Sequence, residues 1–264
     1  MNVPSDTFPP PRVVPHPWHA FGGIWRLTVR RMLMPGHWLA VGGMLVALVV
    51  LSIPALPNRE AAADGYLRWV IAFYVTFLVP IMAFISAASA VREDIKGGTV
   101  DYIFTRPIRR REFLGFKYLA HMACAQLDFL IAFAVVLALG LRRDTPDLWA
   151  PVPMLLLAQM LVVAVFTAFG FLCGIVTSRY VILGLAYGAV VEVGVGQIPT
   201  SLNKFSMIHQ VRAMLQPLVD QATLVPPAPG PVATMLLLLV VSVGILAVAA
   251  VIFSFQELCG PGET

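Results

Sequence analysis

Long apolar runs alternate with short polar breaks along this chain, and six of the runs are long enough to cross a membrane. They cover residues 38–56, 69–91, 119–141, 154–176, 181–198 and 232–255, where a hydrocarbon core of about 30 Å asks for roughly 20 helical residues. Uninterrupted runs of this kind satisfy their backbone in lipid only as helices. The predicted fold is therefore an all-α integral membrane protein with six transmembrane helices. Before the first run, Trp18, Phe21, Trp25, Val29 and Met32 recur at helical spacing, with His19, Arg26 and Arg30 on another face. That pattern predicts an N-terminal helix lying in the headgroups. Ile24 and Leu27 interrupt it, and Pro35 and Gly36 equally allow a frayed start to the first span. Between the fifth and sixth runs, residues 199–231 are unusually apolar for a loop. Ile208, Val211, Leu215 and Leu218 would line one face of a short helix there, expected to press into the outer membrane surface.

The longest polar interruption is residues 92–117, REDIKGGTVDYIFTRPIRRREFLGFK, which holds seven of the eighteen Lys and Arg residues. Hydrocarbon rejects these charges and cytoplasmic loops retain them. With both termini cytoplasmic, twelve basic residues lie inside and six outside, the Arg142 and Arg143 pair being the exception. The expected layout is a leader with its interfacial helix (1–37), a transmembrane domain (38–255) with a cytoplasmic loop at 92–118 and an outer segment at 199–231, and a cytoplasmic tail (256–264). The first residues lack a basic start followed at once by an apolar core, so they do not read as a signal peptide.

Composition agrees, with 59% hydrophobic residues, 12% charged and a mean hydropathy of +0.83. Soluble domains are nearer half apolar. The pI of about 9.2 does not point to nucleic acid, because the basic residues sit between spans on one side. Cys124, Cys173 and Cys259 are widely spaced and read as packing residues. His16 and His19 supply only two imidazoles, too few to hold zinc. No GxxxxGK[ST], HExxH or GxSxG string is present, so no catalytic, cofactor-binding or metal residue is expected.

Inside the apolar runs lie His121, Gln126, Asp128, Gln159 and Glu192. A carboxylate at the centre of a membrane helix costs about 2.5–3.5 kcal/mol, so Asp128 and Glu192 should face a partner helix or a wet cavity. His121 and Asp128 are two helical turns apart and share a face. Gly170 with Gly174, and Gly184 with Gly188, form GxxxG pairs that suit close helix approach in the fourth and fifth spans.

The polar loop carries the strongest signal. Pro107 ends any preceding helix, and Arg109, Arg110 and Arg111 flank a turn bearing Phe113, Leu114 and Phe116. Apolar knobs between basic flanks suit docking into a partner's groove. The string EDIKGGTVDYIFTRPIRRREFLGFK resembles the signature of ABC type-2 permeases, in which an acidic pair, Gly-Thr, Arg-Pro, Arg and Leu-Gly-x-Lys follow the second span. Glu93, Gly98, Thr99, Arg106, Pro107, Arg110, Leu114, Gly115 and Lys117 occupy matching positions. YGAVVEVGVGQIP in the fifth span is similar to a stretch where such permeases place a Glu and then a Pro.

The resemblance implies a permease of an ATP-driven exporter that pairs with a second permease copy or paralogue. Two ATPase subunits would engage the loop, through Glu93, Gly98, Thr99, Arg106, Pro107, Arg109, Arg110, Arg111, Phe113, Leu114 and Lys117. It also implies ATP and Mg on those subunits, none on this chain, and residence in a bacterial inner membrane. Membrane lipid and an accessory protein are the other partners it allows. The rival expectation is a proton-coupled secondary transporter using Asp128, Glu192 and His121. A membrane-embedded enzyme with His121 and Asp128 as acid and base ranks lower, for want of a nucleophile.

Overall fold

A computed structural model describes residues 17–53, 62–96, 110–142, 145, 148–195, 206–218 and 230–255. Gly98, Thr99, Arg106, Pro107 and Arg109 lie outside the described residues, as do 1–16, most of 199–231 and the tail from 256. All described elements are helical. They are α1 (Pro17–Met32), α2 (Pro35–Ser52), α3 (62–96), α4 (Arg110–Arg142), α5 (Val152–Val176), α6 (180–195), α7 (Met207–Leu215) and α8 (Pro231–Phe255). A 3₁₀ turn, Gln216–Leu218, extends α7. The bundle has an island end, where α3 stops and α4 starts, and a far end, where α7 sits.

Five helices are long and apolar enough to cross a membrane: Pro35–Ser52, Gly65–Lys96, Arg110–Arg142, Val152–Val176 and Pro231–Phe255. The fifth expected span, 181–198, takes the form of the shorter α6, whose 16 residues reach about 24 Å at most. It changes character halfway: Tyr180–Tyr187 is α-helical and Gly188–Val195 is π-helical. A second π-helical stretch, Val70–Leu78, lies inside α3.

The central helix is α5, with 72% of its apolar window buried, whereas α2 and α8 bury 22% each. These two are apolar all round and leave Leu39, Val46, Val50, Leu236, Val240 and Val243 exposed, as helices facing lipid do. The Gly170 and Gly174 pair explains the centre. A Cβ on Gly170 would lie 2.6 Å from the Phe84 carbonyl oxygen, and one on Gly174 would lie 2.6 Å from that of Ala88. Only glycine lets α5 approach the α3 backbone so closely. The expected close approach therefore holds for span four, with span two as its partner. In α6, Gly184 abuts the Phe84 ring, while Gly188 has nothing within 4 Å of its Cβ position.

The helix α1 is separate from α2, so the frayed-start alternative falls away. The expected aromatic stripe leaves Trp18 and Trp25 facing outward, and a second stripe docks on the bundle. Ile24 and Thr28 are buried, Phe21 meets Phe116 at 5.5 Å, and Trp18 and Trp25 stay exposed. Ile24 therefore marks the stripe that packs on α4. The outer helix also differs, because α7 buries Met207, Gln210, Val211, Met214 and Leu215 against the bundle. It is a packed element of the core as well as a cap on the far end.

Candidate functional site

At the island end, three helices meet in a buried ion cluster. Asp94, near the end of α3, lies 2.7 Å from Lys117 Nζ on α4 and 2.6 Å from Arg31 Nη2 on α1. Arg31 also reaches Glu93 at 3.9 Å. Asp94 and Lys117 are only 3% and 2% exposed, so their charges have little water and depend on each other. The cluster closes the base of the polar loop, since Asp94 lies near the start of residues 92–117 and Lys117 at their end. Around it, Phe113 stacks on Phe253 at 6.2 Å, and Leu114 is fully buried. These expected knobs serve the chain's own core. Arg111 and Glu112 are the exposed residues of the first turn of α4, with Arg110 half-buried beside them.

Deeper in the bundle, Lys117, His121 and Asp128 follow one another along α4. His121 Nε2 is 3.3 Å from Ser86 Oγ on α3, and Asp128 Oδ2 is 3.2 Å from His37 Nε2 on α2. The shared face is real, but each residue has a partner on another helix. His37 escapes sequence reading because nothing local marks it as facing an acid. Gln126 donates to the Met160 carbonyl at 3.0 Å, and Tyr74 Oη lies 2.7 Å from Gln159 Oε1. Each of these contacts ties a span to its neighbour.

At the far end Glu192 holds α7 in place. Its Oε1 accepts from Tyr187 Oη at 2.8 Å and from the Met207 amide at 3.1 Å. Its Oε2 accepts from Ser206 Oγ and from the Ile208 amide at 3.1 Å. Ser206 is the N-cap of α7 and also accepts from the His209 amide at 2.9 Å. The first three amides of α7, which no helix can satisfy internally, therefore all have acceptors. The carboxylate also suits the positive end of the helix dipole. Glu192→Gln would put an NH₂ against two donors. We expect the Met207 and Ile208 amides to exchange with deuterium roughly 5- to 150-fold faster in that variant, following a loss of about 1–3 kcal/mol.

Beside Glu192 a groove of about 680 Å³ runs between α3 and α6, with α5 as its floor. Phe73, Phe77, Ile81 and Phe84 form one wall, and Val181 and Leu185 the other. Both π-helical stretches contribute to it, through Ala72 to Phe77 and through Gly188 to Glu192. Such departures from the α-helix are rare and collect at functional sites. Arg212, on α7, reaches into the groove and donates to Thr76 Oγ1 at 3.4 Å.

A polar loop based on a buried ion cluster between two long apolar helices, in an all-helical bundle, is the architecture of a multi-pass membrane protein. Residues 41–258 match the ABC-2 family transporter protein family, and the chain belongs to it. It is 30% identical over 182 residues to the probable ABC transporter permease protein NosY of Stutzerimonas stutzeri. That stretch takes in 62% of this chain and 64% of the relative. The chain is thus a multi-pass membrane protein of a family of transport subunits.

Proposed function

We propose that the chain is the permease subunit of an ATP-binding cassette exporter. Two such permeases, identical or paralogous, would form the translocation route in a bacterial inner membrane, with six spans and both termini cytoplasmic. Separate ATPase subunits would bind ATP and Mg and grip residues 92–117. Family membership supports the permease reading, and the Arg31, Asp94 and Lys117 cluster carries the coupling reading. Through that cluster the base of the loop joins α1, α3 and α4, so a displacement of the loop moves three helices together. Closure of the ATPase pair would then tilt α3 and α4 and alternate access between the two sides.

Within this reading the residues divide by position. Arg110, Arg111 and Glu112 offer a surface to the ATPase, together with the 97–109 segment. Glu93, Phe113, Leu114 and Lys117 hold that surface to the spans. The proton relay lacks comparable support: among the described residues, His121 contacts Ser86, Asp128 contacts His37, and Glu192 has both oxygens occupied by α7 and its neighbours.

Charge reversal tests the coupling surface. An affinity-tagged chain carrying R109E, R110E and R111E should recover at least tenfold less of a soluble Walker-motif ATPase than wild type, with unchanged thermal stability. Undiminished recovery would remove the loop from the interface.

A further inference from the structure

The groove between α3 and α6 has a feature that packing alone does not account for. Its walls are apolar, yet Arg212 bonds to Thr76, a buried residue of the π-helical stretch inside an apolar span. Long basic side chains at the ends of membrane helices ordinarily extend outward to water. Arg212 is itself exposed and also borders the groove, so its guanidinium stands at the mouth where an anion can reach it. Among the described residues it has one hydrogen bond, to Thr76, and no carboxylate within ion-pair distance. Thr76 donates its own proton to the Ala72 carbonyl at 2.7 Å, so its oxygen only accepts from and orients the guanidinium. Among the described residues, most of the five N–H donors of Arg212 have no protein acceptor and are open to a ligand.

We propose that this groove binds a membrane phospholipid of net negative charge. Its acyl chain would lie along α3 and α6, and its phosphate against Arg212. The groove runs from Ala72 to Ile85, roughly 15–20 Å along α3, about the depth of one leaflet of a 30 Å hydrocarbon core. Its volume lies in the range of formed ligand sites. Guanidinium binds phosphate through paired, charge-assisted hydrogen bonds. The sign of the headgroup follows from Glu192. This carboxylate borders the groove, but each of its oxygens already accepts two hydrogen bonds, leaving no acceptor for the ammonium of a zwitterionic lipid. The site rests on Arg212 and the groove alone, and stands whether or not the exporter reading does.

The test is native mass spectrometry of the purified full chain after delipidation and titration with phosphatidylglycerol or phosphatidylethanolamine. Wild type should retain one phosphatidylglycerol at concentrations where phosphatidylethanolamine is lost, a preference of about tenfold or more. Arg212→Gln should bring the two lipids to parity. Gly188→Leu, which adds a side chain where nothing lies within 4 Å, should fill the groove and abolish retention of both while thermal stability holds. Equal retention of both lipids by wild type would overturn the proposal. So would efficient cross-linking between copies through cysteines placed at Ile81 and Leu185, because a second chain would then occupy the groove.

Discussion

Gly174→Leu is expected to cost the bundle about 3 kcal/mol, the upper part of the range for overpacking a filled interior. For a chain of this size that is on the order of a 10 °C fall in melting temperature. The cause is a backbone contact. The new Cβ would sit 2.6 Å from the Ala88 carbonyl oxygen, with the Ala88 Cα at 3.1 Å. A side chain could swing aside, but α3 itself would have to retreat along its contact with α5. Gly170→Leu should behave alike, since it meets the Phe84 carbonyl at the same distance. Gly42→Leu is the control, because α2 offers open space there. Thermal unfolding of the detergent-purified chain, followed by size-exclusion chromatography, reads all three. Equal stability of the Gly174 and Gly42 variants would disprove the close approach of α3 and α5.

Asp94→Asn should be at least as damaging, at about 3–5 kcal/mol, because it leaves the buried Lys117 ammonium and the Arg31 guanidinium without their shared anion. Removing charge from both sides should hurt less. The pair Asp94→Leu with Lys117→Met replaces an ion pair by apolar groups of similar bulk, and such exchanges are often neutral for stability. The double variant should therefore melt well above Asp94→Asn while still losing the tie between α3 and α4. Under the proposed function, that separation of effects is informative. A double variant that is stable yet no longer transmits movement from the loop would assign the cluster to coupling, and a stable, fully coupled one would confine it to folding.

The parts legible in sequence were those set by a single helix and its solvent. The apolar runs forced membrane helices, and the polar loop announced itself because its charges cannot enter hydrocarbon. The Gly170 and Gly174 spacing correctly marked a close approach, although not the identity of the partner helix. Ile24 interrupted the lipid-facing stripe because it belongs to a second one, which α4 covers and no local pattern announces. Pairings across the bundle had no local signal. Asp94 and Lys117 are separated by the whole loop, His37 and Asp128 by 91 positions, and Glu192 is matched to amides 15 and 16 positions ahead. The winding of Val70–Leu78 and Gly188–Val195 was equally hidden, since neither composition nor hydropathy separates a π-helix from an α-helix.

Those two wide-wound stretches give the far half of the bundle a kind of slack. A segment closed by i to i+5 bonds is shorter and broader than the same residues closed by i to i+4 bonds. Rewinding Val70–Leu78 would lengthen span two and swivel Phe73 and Phe77 about its axis, while Gly170 and Gly174 keep the lower part of that span clamped. Under the proposed function, tension arriving from the opposite end would then be spent on turning aromatic rings, with no need to part the central pair of helices.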